Sequence, residues 1–123
     1  HSTSSAASDV YKRQLSSFAE VINEISSKMY GATAVLKEEE IVGIITDGDI
    51  RRVIEKRKNI EDIKASEFMG NNPKVLKSDI LASEALRIMK KNNISQVLVA
   101  DNNDSFIGVV HILDIIKQGI NDE

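Results

Sequence analysis

At 123 residues, with 41% hydrophobic and 28% charged, the chain has the make-up of a soluble globular protein: one compact unit, or two half-size units that must share a core. Its net charge of −3 supplies no global field for nucleic acid or anionic membrane, and no apolar run approaches the roughly 18–20 residues that cross a bilayer. With no cysteine and only two histidines, the chain can build neither a disulfide framework nor a thiolate or His-rich metal site.

Residues 1–14 open small, polar and low in complexity, without the apolar core of a signal peptide, and are expected to be a tail or foreign junction. Within them, Val10-Tyr11-Lys12 would suit a short edge strand. Ser16 or Ser17 offers a helix N-cap, and Glu20 stands at capping-box distance from Ser17. Phe18, Val21, Ile22, Ile25 and Met29 then form one apolar helical stripe, which Tyr30-Gly31 ends. Ala32 to Leu36 and Ile41 to Thr46 read as strands joined by Lys37–Glu40, a link short enough to require antiparallel pairing. Asp47 or Asp49 starts the next helix, with Ile50, Val53 and Ile54 on its inner face and the charged run Glu55–Lys58 at its solvated end.

Ile60, Ile63, Phe68 and Met69 carry a short helical pattern that Gly70 stops, and Pro73 sets an extended start for Lys74-Val75-Leu76. Ser78 is placed to cap a helix bearing Ala82, Ala85, Leu86 and Met89. Gln96–Ala100 reads as a strand, Asp101–Ser105 as a turn, and Phe106–Val110 as a strand, with Asp114, Ile115 and Ile116 opening the last helix.

The second half restates the first. Val21, Ile22 and Ile25 fall on Ala85, Leu86 and Met89, 64 positions later. Ala34-Val35-Leu36 falls on Val97-Leu98-Val99, 63 later, and Gly43, Asp49 and Ile50 fall on Gly108, Asp114 and Ile115, 65 later. A unit of about 60 residues is marginal alone, so two copies packed through their sheets should share one core about a pseudo-twofold axis. Such packing would leave two related clefts, each lined by a strand-to-helix corner.

The sharper corner is Gly43-Ile44-Ile45-Thr46-Asp47-Gly48-Asp49-Ile50-Arg51-Arg52. Backbone N–H groups at a helix start attract anions, a hydroxyl can bond a phosphate oxygen, and a carboxylate can accept two sugar hydroxyls. The same residues also suit an ordinary capped helix. Arg51 and Arg52 occupy the first turn, where the helix dipole does not favour cations, so they either face an anion or form a solvated pair near Glu55. No nucleophile–base pair or Gly-rich phosphate loop is visible, so catalysis by this chain alone is not expected.

Helix–strand–strand–helix repeated twice, with Gly-apolar-apolar-Thr-x-x-Asp at residues 43–49, resembles a tandem pair of cystathionine-β-synthase (CBS) domains. Phe68-Met69-Gly70-Asn71-Asn72-Pro73 resembles the Met-x-x-x-Pro preface of a CBS repeat. The resemblance implies a mixed α+β fold of two β-α-β-β-α repeats, at residues 15–63 and 64–123. Within the superfamily, Thr46–Arg52 and the ending Gly108–Ile120 are similar to the C-terminal pair of D-arabinose-5-phosphate isomerases, which act in Kdo biosynthesis. The Thr46–Arg52 corner is also similar to CBS pairs fused to sugar nucleotidyltransferases.

That likeness implies a regulatory module serving an N-terminal sugar-isomerase (SIS) domain, cytoplasmic and assembled as a homodimer or higher oligomer. It also implies no required cofactor and a nucleotide or nucleotide sugar as the expected ligand: CMP-Kdo, CMP, AMP or ATP. A ligand-free oligomerisation module is the competing reading. The resemblance places a ligand at Thr46 (phosphate) and Asp49 (ribose), with Asp47, Arg51 and Arg52 around them. In the second copy Asp114 takes the ribose role and His111 replaces the threonine, while Thr33 and Gln96 stand near the starts of their strands. The isomerases usually carry a second histidine where this chain has Leu113, and their first strand ahead of repeat one is not recognisable in residues 1–14.

Overall fold

The computed structural model describes residues 11–28, 31–56 and 60–119. Expectations at Met29-Tyr30, Arg57-Lys58 and Ile120 fall outside them. In chain order the elements are β1 (Tyr11–Arg13), α1 (Phe18–Lys28), β2 (Ala32–Lys37), β3 (Glu40–Thr46), α2 (Asp47–Lys56), α3 (Ala65–Phe68) and β4 (Gly70–Asn71). There follow β5 (Val75–Lys77), α4 (Ala82–Lys91), β6 (Gln96–Ala100), β7 (Phe106–His111) and α5 (Ile112–Lys117).

Two mixed sheets carry the fold, one in the order β1-β2-β3-β4 and the other β5-β6-β7. In each, a leading strand runs parallel to its neighbour and the next pair is antiparallel. A parallel pair needs a crossover, and α1 and α4 supply the two. The capping box on α1 forms as expected: Ser17 N–H donates to Glu20 Oε1 (2.9 Å) and Glu20 N–H to Ser17 Oγ (3.2 Å). Phe18, Val21 and Ile25 are buried along the α1 stripe, as are Ala85, Leu86 and Met89 along α4. Between the sheets, Ala34 and Leu36 pack with Leu98 and Phe106, flanked by Ile44 and Val109. The two copies therefore share apolar surface sheet to sheet.

The structure corrects several expectations. Residues 1–14 are not all tail: Tyr11–Arg13 is a strand in parallel register with Ala34–Leu36, and Lys12 Nζ reaches Glu24 Oε1 at 3.4 Å. The β2–β3 link is a two-residue turn, Glu38-Glu39, with both residues at positive φ (49° and 72°) as a twisted hairpin demands. Ser78 does not cap α4. Its N–H donates to the Ala100 carbonyl (2.8 Å), and the helix begins at Ala82 after Leu81. Ile54 is 56% exposed, because α2 buries Val53 and turns the next position, about 100° further round the helix, to solvent. Ala82 is exposed as well.

The repeat is more regular than the apolar pattern indicates. Tyr11 pairs with Ala34 as Val75 pairs with Leu98, and both copies place a register shift at one site, Val35/Leu36 and Val99/Ala100. Val35 opposite Gly43 matches Val99 opposite Gly108, so β2 and β6 are related by 64 positions rather than 63. Segment 65–71 packs on the first copy: Ala65 is buried with Val21, Val35 and Ile45, and β4 pairs with Gly43-Ile44. A Cβ at Gly43 would collide with the Met69 side chain and approach the Gly70 carbonyl to 3.0 Å, so glycine is what lets β4 close on β3.

Candidate functional site

Both strand-to-helix corners are capped by their own side chains. At the first, Thr46 N–H donates to Asp49 Oδ2 (2.9 Å), Thr46 Oγ donates to the same oxygen (3.1 Å), and Asp49 N–H donates back to Thr46 Oγ (3.3 Å). Asp49 Oδ1 accepts from Arg52 Nη2, so both carboxylate oxygens already accept a hydrogen bond within the corner. At the second corner, Leu113 N–H donates to His111 Nδ1 (3.1 Å). An imidazole nitrogen that accepts carries no proton, which places the ring proton of the neutral histidine on Nε2.

Residues of both corners meet in one cavity. It has a volume of about 490 Å³ and takes Thr46, Asp47, Gly48 and Arg51 from the first corner and Gln96 and His111 from the second copy. Lys74 and the Asn93–Ser95 turn complete its wall, with Ile44 at its base. Gly31 (φ 73°) holds the rim: its carbonyl accepts from Asp47 N–H (3.1 Å), and a Cβ there would lie 2.7 Å from Gln96 Nε2 and 3.3 Å from Asp47 Oδ2. Arg51 and Lys74 face the cavity with Asp47 as the one carboxylate, and the first turn of α2 adds the positive end of its dipole. The wall therefore favours an anion, with the amide of Gln96 and the imidazole of His111 as hydrogen-bonding groups.

Of the nine residues singled out from sequence, the cavity brings together Thr46, Asp47, Arg51, Gln96 and His111. The other four are not among its lining residues. Thr33 is buried at 1% exposure, its hydroxyl donating to the Ala34 carbonyl at 3.3 Å. Asp49 and Arg52 are occupied with the cap and with each other, and Asp114 is exposed on α5. Sequence reasoning missed Lys74 and Asn93. Asn93 sits at positive φ (55°) just past α4, a position its residue type signals, whereas nothing local marks Lys74 as cavity-facing. Among the described residues no group of three or more His, Cys, Asp or Glu could hold a metal ion, and no helix is long and apolar enough to cross a membrane.

Comparison with known proteins agrees with this architecture. The CBS domain family model matches residues 15–56 and 65–120. An uncharacterised protein of Rickettsia prowazekii is 41% identical over 105 residues, covering 85% of this chain and 32% of the relative. An arabinose 5-phosphate isomerase of Pseudomonas aeruginosa is 34% identical over 98 residues, covering 79% of this chain and 30% of the enzyme. The chain thus spans about a third of the length of the curated relatives it matches. Among solved structures, a CBS domain protein of Pyrobaculum aerophilum complexed with AMP superposes with a TM-score of 0.75 at 21% identity, over 91% of this chain and 88% of that one. The two matched stretches, the repeated topology and the shared inter-sheet core lead to one assignment: the chain belongs to the CBS domain family, as a tandem pair.

Proposed function

We propose that the cavity between the corners binds a nucleotide or nucleotide sugar through its phosphate, and that the chain is the regulatory module of an arabinose-5-phosphate isomerase. One observation carries the reading: Arg51, Lys74 and the α2 N-terminus converge with Gln96 and His111 on a single cavity of about 490 Å³. That volume falls in the range of small-molecule sites. AMP in the Pyrobaculum protein supports an adenine nucleotide, and the isomerase relatives support a pathway product such as CMP-Kdo. Thr46 and Asp49 cap α2, so Thr46 meets a phosphate only by sharing its hydroxyl, and Arg51 and Lys74 are the principal charge partners. Bound ligand would bias an attached SIS domain by its differential affinity for two arrangements of the pair, cytoplasmic in the Kdo-producing cell.

Thermal unfolding with 1 mM AMP, ATP, CMP or CMP-Kdo tests the binding step. A ligand with a Kd of about 10 μM stabilises by about 2.7 kcal/mol, and absence of any shift removes the reading. Three exposed apolar side chains, Ile54, Leu113 and Ile116, favour a second one, in which the module chiefly holds a homo-oligomer together. Sedimentation across a concentration series checks it: a monomer at every concentration contradicts it.

A further inference from the structure

The two strand-to-helix corners are capped by different chemistry. Thr46 and His111 occupy the same position in the two copies, 65 residues apart. At Thr46 the cap is a set of three hydrogen bonds with Asp49, braced by Arg52. At His111 it is the bond from Leu113 N–H to Nδ1, and Asp114, the counterpart of Asp49, is exposed. That bond needs a neutral ring, because an imidazolium carries a proton on each nitrogen and only donates. An imidazolium would also set a positive charge at the positive end of α5. Histidine is the side chain whose charge ordinarily changes between pH 5 and 8. The same ring lines the cavity of about 490 Å³, and with Nδ1 engaged by α5, Nε2 is the nitrogen left to serve it. The charged groups around that cavity are Asp47 and Arg51 from α2 and Lys74 ahead of β5, with Asp114 and Lys117 on α5 itself.

Building on the reading of the cavity as an anion site, we propose that His111 couples the cavity to α5. A negative charge entering the cavity favours the imidazolium, which releases the Leu113 N–H and loosens the first turn of the helix. Without an anion, Arg51 and Lys74 oppose a further positive charge on the ring, and the cap holds. An anion paired with both removes that opposition and adds an attraction of its own. By linkage, a proton on His111 and an anion in the cavity strengthen each other's binding. Thr46 shares the cavity too, but its hydroxyl has no charge to change, so the first corner lacks this link. Helix α5 is suited to respond: it is six residues long, buries Ile115, and carries Leu113 and Ile116 at 53% and 46% exposure. Leu113 is both the residue whose N–H the ring holds and half of that exposed apolar pair, so loss of the cap moves the apolar surface of the helix.

NMR of the full chain across pH 5–8, with the ring assigned through His111→Asn, tests the coupling before any ligand is added. The Leu113 amide resonance should move with the His111 ring resonances at one shared midpoint. Lys74→Glu sets a negative charge at the cavity on an exposed side chain and should raise that midpoint by about half a pH unit or more. His111→Asn supplies an uncharged cap and should hold the Leu113 amide in one position throughout. A Leu113 amide that ignores the ring's titration, or a midpoint unmoved by Lys74→Glu, overturns the proposal. AMP, ATP, CMP and CMP-Kdo are then added in turn at pH 7. A nucleotide that binds should carry the Leu113 amide toward its low-pH position in the parent and leave it in place in His111→Asn. Binding seen by calorimetry with Leu113 unmoved, or with equal movement in His111→Asn, overturns the coupling and leaves the anion site standing. No binding by any of the four removes the anion site, and the Lys74→Glu shift then decides the coupling by itself.

Discussion

Gly43 and Gly108 are the same position in the two copies, each opposite a valine across the register shift, yet they face different surroundings. Neither has a positive φ, so alanine is conformationally acceptable at both. Replacing a mid-strand glycine by alanine gains roughly 0.5–1 kcal/mol from the unfolded chain, and this gain is common to both positions. At Gly43 the new methyl collides with Met69 and comes within 3.0 Å of the Gly70 carbonyl, which a flexible thioether can relieve only in part. Overpacking of this kind costs about 1–3 kcal/mol, so the gap between the two variants isolates that term. Gly108→Ala should be neutral to mildly stabilising, and Gly43→Ala should unfold about 1–3 kcal/mol more easily than it. Urea unfolding with a common m-value measures the gap directly. Equal midpoints for the two variants would refute the closure of β4 over Gly43 and, with it, the asymmetry between the copies.

Other consequences follow from named contacts. Phe18 is 3% exposed and packs on Phe68, so Phe18→Ala should cost about 3–5 kcal/mol in a denaturant titration, a large share of the total stability of such a domain. Thr46→Ala removes the hydroxyl that accepts from Asp49 N–H and should cost about 1 kcal/mol by the same measurement, with or without ligand. Hydrogen bonds from the Ser17 backbone and hydroxyl hold Glu20 below the usual carboxylate range. A depressed folded value means that this contribution is complete above the unfolded value and fades as pH falls through the folded one. Equilibrium unfolding at pH 7 and pH 3 should therefore show Glu20→Ala destabilising at the higher pH and less so at the lower.

Much of the fold was legible because the repeat is written in residues with a physical job. Ser17 and Glu20 announce a capping box, Pro73 an extended start, and Gly43 and Gly108 the strand centres. The register was not legible, since Ala34-Val35-Leu36 and Val97-Leu98-Val99 are apolar on both faces and carry no alternation to set the phase. Strand β1 is three residues long, and its place is decided by pairing with β2 rather than by its own propensity. At the cavity, Thr46, Asp47 and Arg51 were readable from one corner because they are adjacent in sequence. Lys74 and Asn93 reach it only through the packing of one copy on the other, which no local pattern encodes. The cap at Asp49 also needed geometry: Oδ2 accepts from Thr46 and Oδ1 from Arg52.

The central claim is that the cavity between the corners is an anion site built on Arg51 and Lys74. Titration calorimetry of the chain with AMP, ATP, CMP and CMP-Kdo, repeated on Arg51→Ala, tests it most directly. At least one nucleotide should bind the parent chain, and Arg51→Ala should weaken it by about tenfold or more, the worth of a charge-assisted hydrogen bond. Because Arg51 is exposed, the variant should unfold at the parent's midpoint without ligand. No heat with any of the four nucleotides, or equal affinity in parent and variant, would contradict the account.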